Sequence, residues 1–292
     1  MAKRRKRITK NKKWLGLATT LIVILAGALG VENPQKIQQW IPGSNNYATQ
    51  KQADTNGTVQ YGTAQEQHPT ESLASSVLSD TIKEQLKADT IEYNGAGAFV
   101  LNKNKNTLNT DVASAPYVQL SRQDTLGRPG PANAWLTKAS RQYRNRSETG
   151  NSQTINPVGW RQMKINGHNK VLYNRGHSIG YALAGNINSF DASEANPQNI
   201  TTQTAWANQS SNGNDKNTGQ NYYETLVRRA LDANKRVRYR VTPLYEGQNL
   251  VPSGSHIEAK STDGTLNINV FVPNVQPGVK INYADGSAQL VQ

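Results

Sequence analysis

Two runs near the C-terminal end, Arg236–Tyr245 (RVRYRVTPLY) and Thr265–Val272 (TLNINVFV), alternate apolar and polar residues with period two. Successive side chains of a strand point to opposite faces, so each run offers one face to a core and one to solvent. Their closeness in sequence predicts neighbouring antiparallel strands. Just upstream, Tyr222, Tyr223, Leu226, Val227, Ala230 and Leu231 recur at helical spacing, which predicts an amphipathic helix from about Gly219 to Asn234. Helices beside antiparallel strands define an α+β class. Further signals fill in the rest. Leu73, Val77, Ile82 and Leu86 approximate a helical stripe over Ser72–Asp89, and IEYNGAGAFVL reads as a hairpin with Asn94-Gly95 in its turn. Ala132–Arg144, after Pro129 and Pro131, reads as a helix, and Lys170–Tyr173 as a short strand. No internal repeat is present.

Only 35% of the 292 residues are hydrophobic, which is low for a chain packed along its whole length. The N-terminal end explains part of this. Eight Lys and Arg occupy residues 1–13, and the apolar run Leu15–Val31 follows directly. That layout, residues 1–31, is a basic n-region plus a signal peptide or membrane anchor. Seventeen residues lie at the short limit for spanning a bilayer, and Ala26-Gly27-Ala28 suits a signal peptidase, so retention and cleavage are both open. Either outcome exports the remainder, as a domain outside the cell membrane or as a secreted protein. Residues 32–71 are rich in Gln, Asn, Thr and Gly and read as a disordered tether. The expected folded domain is 72–292. With no cysteine, disulfides, thiolate catalysis and sulfur-ligated zinc are excluded.

The formal charge of +13 is unevenly spread. Residues 135–240 hold 15 Lys and Arg against 6 Asp and Glu, whereas 14–134 and 241–292 are mildly acidic. A concentrated positive block gains affinity for phosphates by releasing their counterions, so a polyanion is the natural partner. Within the block, Arg141, Arg144 and Arg146 flank Tyr143 in RQYRNR, a pattern suited to gripping a nucleic-acid backbone.

The same block contains Tyr173–Gly180, YNRGHSIG, which supports two readings. As G-x-S-x-G it would make Ser178 the nucleophile of a hydrolase elbow, with His256 the one downstream histidine. That elbow needs βα units upstream, and no such alternation precedes it. As N-R-G-H it makes His177 a general base. Downstream lie Asn199, Gln203, Trp206 and Asn208, then Glu224 and Arg228. With NRGH, QTAWANQ, TGQNYYE and KRVRYRV in place, the chain resembles the DNA/RNA non-specific endonucleases of the ββα-metal type, closest to streptococcal DNA-entry nucleases and secreted streptococcal DNases. The resemblance runs from about Ser72 to the C-terminus and is densest over 141–273. It departs at Asn174, where the family usually has Asp.

The resemblance implies a ββα-metal finger on a mixed, mainly antiparallel sheet with flanking helices. It implies hydrolysis of DNA, with RNA a second substrate, to 5′-phosphate ends without sequence preference. His177 is then the base, neutral at physiological pH as a base must be. Asn208 is the direct protein ligand of Mg²⁺, with Mn²⁺ a substitute, and Glu224 orients water of the ion. Arg175 stabilises charge on the phosphate, and Arg228, Arg146, Arg144 and Arg141 bind substrate. Asn199 and Gln203 support the site by hydrogen bonding. A surface receptor that binds DNA without cutting would share the anchor, tether and basic block, but would not need His177, Asn208 and Glu224 together. The Asn- and Gly-rich segment 209–219 reads as a loop insertion.

Overall fold

The alternation of Val237, Tyr239 and Val241 with Arg238 and Arg240 becomes an interior strand of a seven-stranded, wholly antiparallel sheet. The structure, a computed structural model, describes residues 58–211 and 215–291. Its strands are β1 (Ile91–Tyr93), β2 (Phe99–Leu101), β3 (Tyr117–Leu120), β4 (Ala132–Leu136), β7 (Val237–Leu244), β8 (Gly254–Ser261) and β9 (Asn267–Pro273), in the spatial order β1-β2-β9-β8-β7-β4-β3. Two further pairs stand apart: β5 (Tyr173–His177) with β6 (Ile200–Thr204), and β10 (Val279–Ile281) with β11 (Ala288–Leu290).

One face of the large sheet is covered by helices. Leu73 of α1 (Glu71–Ser75), Ile82 and Leu86 of α2 (Asp80–Leu86), and Val227 and Leu231 of α5 (Gln220–Asp232) join Tyr239, Val241, Ile257 and Val270 in one buried cluster. Burying each large apolar side chain contributes about 1.5–3 kcal/mol. A smaller cluster of Ile165, Leu172, Tyr173 and Val279 seats the start of β5. Between β5 and β6 comes α3 (Tyr181–Ala184), and α4 (Ala205–Gln209) follows β6 without a break.

The fold class, the hairpin at 91–101 and the long helix agree with the sequence reading. The two period-two runs are not neighbours, because β8 lies between β7 and β9 and pairs antiparallel with both. The short strand is Tyr173–His177, not Lys170–Tyr173. Three further local expectations also fail. Ala132–Arg144 is not a helix. Its first part is β4, because Ala132, Ala134 and Leu136 fill a slot between β3 and β7 and leave both strands paired. Its second part is a 3₁₀ turn at Lys138–Ser140, where Ser140 Oγ donates to the carbonyls of Thr137 and Leu183. The helix expected over 72–89 is broken in two. Serines compete with the helical ladder there: Ser76 Oγ donates to the Leu73 carbonyl and Ser79 caps α2 through the Ile82 N–H.

The third correction concerns the tether, which does not extend to 71. Residues 58–71 belong to the unit Thr58–Gln292, and the Tyr61 and Ala64 carbonyls accept hydrogen bonds from Gly278 and His168. These contacts rest on single backbone groups and leave no periodicity in the sequence. The expected N-region, anchor and remaining tether lie outside the described residues. Among those described, no helix is long and apolar enough to cross a membrane.

Candidate active site

The segment NRGH lies within β5, whose ladder with β6 pairs Asn174 with Gln203, Arg175 with Thr202, Gly176 with Thr201 and His177 with Ile200. Together with α4 this makes a compact strand–strand–helix unit. The glycine is a steric requirement. A Cβ at Gly176 would lie 2.0 Å from Gln203 Oε1 and 2.5 Å from Gln203 Cβ, so any larger residue would force β5 away from β6.

Immediately after His177 the chain turns, and Asn199 fixes the turn. Its Oδ1 accepts from Ile179 N–H at 2.9 Å, its Nδ2 donates to the Ile179 carbonyl at 3.0 Å, and its own carbonyl accepts from Ser178 N–H at 2.8 Å. Asn199 is wholly buried. It therefore touches the backbone that presents His177, and not the cleft. Thr204 caps α4 by accepting from Ala207 N–H, and Trp206 is buried with its indole N–H on Asn217 Oδ1. This anchoring gives the 209–219 segment a visible role, since Asn217 also donates to the Gln67 carbonyl and Ser211 bridges Thr218.

Asn174, Arg175, His177 and Asn208 line one cleft of about 290 Å³, with Trp160 and Glu194 on its walls. The Arg175 guanidinium stacks over Trp160 at 4.8 Å and donates to the Ile155 carbonyl and to Asn156 Oδ1. Asn174 Nδ2 donates to Gln209 Oε1 at 2.9 Å. The Asn208 amide faces the cleft with no hydrogen-bond partner among the described residues. Among those residues no three His, Cys, Asp or Glu gather as a metal cage. One free amide oxygen in a polar cleft fits a cation that keeps most of its water, as Mg²⁺ does.

His177 has an unusual neighbour. The Arg146 guanidinium lies 2.6 Å from His177 Nε2. Arginine can only donate, so Nε2 accepts and the ring proton sits on Nδ1. Burial, and then the Arg146 charge, lower the imidazole pKa to about 3. Arg146 also donates to the Ala192 carbonyl, stacks 4.5 Å over Tyr181 and lies 4.0 Å from Glu194.

A residue that the sequence reading passed over joins the two halves of the site. Gln220, buried at the start of α5, donates through Nε2 to the His177 carbonyl and to Glu224 Oε1, and accepts from Gln203 Nε2 at 3.1 Å. Its place one helical turn before Glu224 was the available signal. Glu224 is mostly buried, 3.6 Å from Arg228 NH1, and burial raises its pKa. Gln203 acts through Gln220 and does not line the cleft.

The remaining arginines divide. Arg228 donates to Asn221 Oδ1 beside Glu224. Arg144 is exposed, with no ion-pair partner among the described residues. Arg141 is buried and committed to Asp232 at 2.8 Å and to the Ala182 and Arg228 carbonyls. It braces the loop with three of its five N–H donors. The serine reading fails on geometry. Ser178 is 3% exposed, and His256 sits in the large sheet with Nε2 on Asn269 Oδ1.

The strand–strand–helix unit with a histidine, an asparagine and arginines around one cleft defines a ββα-metal nuclease. The family of DNA/RNA non-specific endonucleases matches residues 95–288, and the chain belongs to it. It is an endonuclease. Two solved structures of NucA from Streptococcus agalactiae, one with magnesium ion bound and one with no metal bound, are each 46% identical to it. Each covers 74% of this chain; the matches span 100% and 99% of those chains, with TM-scores of 0.67 and 0.65.

Proposed function

We propose that this protein is an exported, Mg²⁺-dependent endonuclease that cuts DNA, and RNA as a second substrate, to 5′-phosphate ends with His177 as general base. One observation carries the reading: a neutral imidazole, an arginine guanidinium and an unpaired amide oxygen face a single polar cleft. His177 Nε2 holds the ring's lone pair and takes the proton of a water attacking phosphorus, and the 3′ oxygen leaves. In the substrate-free arrangement that lone pair is held by Arg146. A scissile phosphate attracts the guanidinium more strongly than a neutral ring does, because the bond becomes charge-assisted on both sides. Substrate binding thus moves Arg146 onto phosphate and frees the base.

Arg175, held in plane by Trp160 and Asn156, faces the same phosphate, and Arg228 and Arg144 hold the flanking backbone. Asn199 and Gln203 position His177 through the turn and through Gln220. Asn208 Oδ1 would hold the cation, and Glu224 would order its water. The bound cation supplies positive charge against the developing phosphorane and leaving oxygen. NucA has been crystallised with magnesium ion bound, which supports Mg²⁺ as the ion, with Mn²⁺ a substitute. Export rests on the basic stretch and apolar run at residues 3–31, which would either anchor the domain at the outer face of the membrane or be cleaved on secretion.

The test is incubation of purified protein with supercoiled plasmid. Cleavage in Mg²⁺, none in EDTA, and fragments that ligate without end repair are expected. His177→Ala should slow cleavage by about 10²–10⁴, the usual worth of a positioned base, with Ser178→Ala near wild type. Full activity in EDTA, or inactivity confined to Ser178→Ala, would refute the mechanism.

A further inference from the structure

Tyr143 is the one large aromatic left strongly exposed among the described residues, at 65%; the other exposed large apolar side chains, Leu290 and Val291, are at the C-terminal end. Its ring is nevertheless fixed. The hydroxyl donates to Asp232 Oδ1 at 2.8 Å, and the Arg141 guanidinium lies 4.7 Å over one ring face. Arg141 and Asp232 are themselves paired at 2.8 Å, so the ring is tied to the helix that carries Glu224 and Arg228. A tyrosine serving only the core would turn inward. These ties instead hold it out, with one face covered by a cation and the other in solvent.

Its position gives the open face a use. Arg146, which touches His177, comes three positions after Tyr143, so their Cα atoms lie within about 10 Å. Exposed Arg144 stands between them. Alternation of phosphate-binding arginine with an aromatic face is how single-stranded nucleic acid is held, because every base has a π-face to stack and none is selected. In a duplex both faces of each base are already covered by neighbours. A stacking platform therefore helps only an unpaired strand.

We propose that Tyr143 stacks a nucleobase of single-stranded substrate close to the scissile phosphate and sets the enzyme's affinity for unpaired strands, an inference that rests on the endonuclease reading. The test uses the full chain and its Tyr143→Ala, Tyr143→Phe and Tyr143→Trp variants, with single-stranded and hairpin-duplex oligonucleotides carrying 2-aminopurine. Binding in EDTA should quench 2-aminopurine in the single strand with the wild type, Phe and Trp proteins, and not with Ala. In Mg²⁺, Tyr143→Ala should raise KM for the single strand about tenfold, leaving its kcat and the duplex reaction within about twofold of wild type. Equal losses on both substrates, quenching retained in Tyr143→Ala, or Tyr143→Phe as impaired as Tyr143→Ala would each overturn the proposal; the last would show that the hydroxyl tether to Asp232 is what matters. Quenching as expected with no cleavage of either oligonucleotide by the wild type would leave the stacking role standing and overturn the endonuclease mechanism instead.

Discussion

At Asn174 an aspartate is usual in the family, and the neighbouring side chains show what the amide does here. Its Nδ2 donates to Gln209 Oε1 at 2.9 Å, and Gln209 Nε2 in turn donates to Asn169 Oδ1 at 3.0 Å. A carboxylate cannot donate. Asn174→Asp would therefore face the Gln209 oxygen until that amide turned over, which would break its bond to Asn169. The loss of one such bond costs about 0.5–1.5 kcal/mol. The side chain spends its amide on the end of α4 and makes no hydrogen bond to His177, so the imidazole is held in place without a charge at 174. Asn174→Asp is expected to lower thermal stability slightly and to change kcat by less than about tenfold, or 1.4 kcal/mol of barrier. A hundredfold gain in kcat for purified Asn174→Asp would show that the missing charge had limited the enzyme.

At the scale of elements, the ββα unit depends on how closely β5 can approach β6. Gly176 sets that distance, with Gln203 lying where a Cβ would be. Gly176→Ala should destabilise the protein by about 1–3 kcal/mol, as overpacking does, and should lose activity beyond that because Gln203 can no longer reach Gln220. Denaturant unfolding and cleavage assays at a temperature where the variant is folded separate the two effects. Wild-type stability and activity would mean that the strands part without cost. The elements also show why some of this was legible in sequence and some was not. Period-two runs and the α5 stripe announce themselves because burial on one face repeats along the chain. β4 does not, because Ala132, Ala134 and Leu136 are buried by strands on both sides and their small residues also suit a helix. Within the cleft, His177 and Asn208 were legible as candidates from motif residues. The bond from Gln220 to the His177 carbonyl and the Arg146 contact were not, since each joins residues far apart in sequence. Arg141 looked like a substrate contact because nothing in RQYRNR reveals that Asp232 waits for it.

Over the whole molecule, two properties follow from where charges sit. The first is a stability change below neutrality. Burial holds the folded pKa of His177 at about 3 and lowers that of His256, whereas both titrate near 6.5 when unfolded. Between those values the unfolded chain binds more protons than the folded one, so stability falls as pH drops below about 6.5. Melting temperature should decline from pH 6.5 to 4.5, offset in part by Glu224, whose raised pKa makes the folded state take up a proton there. His177→Gln should flatten that decline; an unchanged slope would place the loss elsewhere.

The second property is the reach of the basic block. The block holds 15 Lys and Arg, yet many are engaged inside the protein. Arg240 pairs with buried Glu258, Arg238 donates to Tyr117, Arg236 to the Val112 and Ser114 carbonyls, Lys235 pairs with Asp263, Arg161 with Asp285 and Arg141 with Asp232. The basic strand therefore braces the sheet and its covering segment, and does not form an open stripe for DNA. Arg144, Arg146, Arg175 and Arg228 are the members proposed to meet substrate, and Lys138, Lys164, Lys170, Lys216 and Arg229 make up the rest of the block. Four phosphate contacts predict a slope of log K against log salt of about −3.6 on duplex DNA and about −2.8 on single strands. Binding measured in EDTA across a salt series, with His177→Ala as a further guard against cleavage, gives that slope directly. Arg144→Ala should reduce it by about 1 and Arg238→Ala should leave it unchanged. A duplex slope of −8 or steeper would mean that the whole block meets the backbone and that the sheet arginines leave their internal partners on binding.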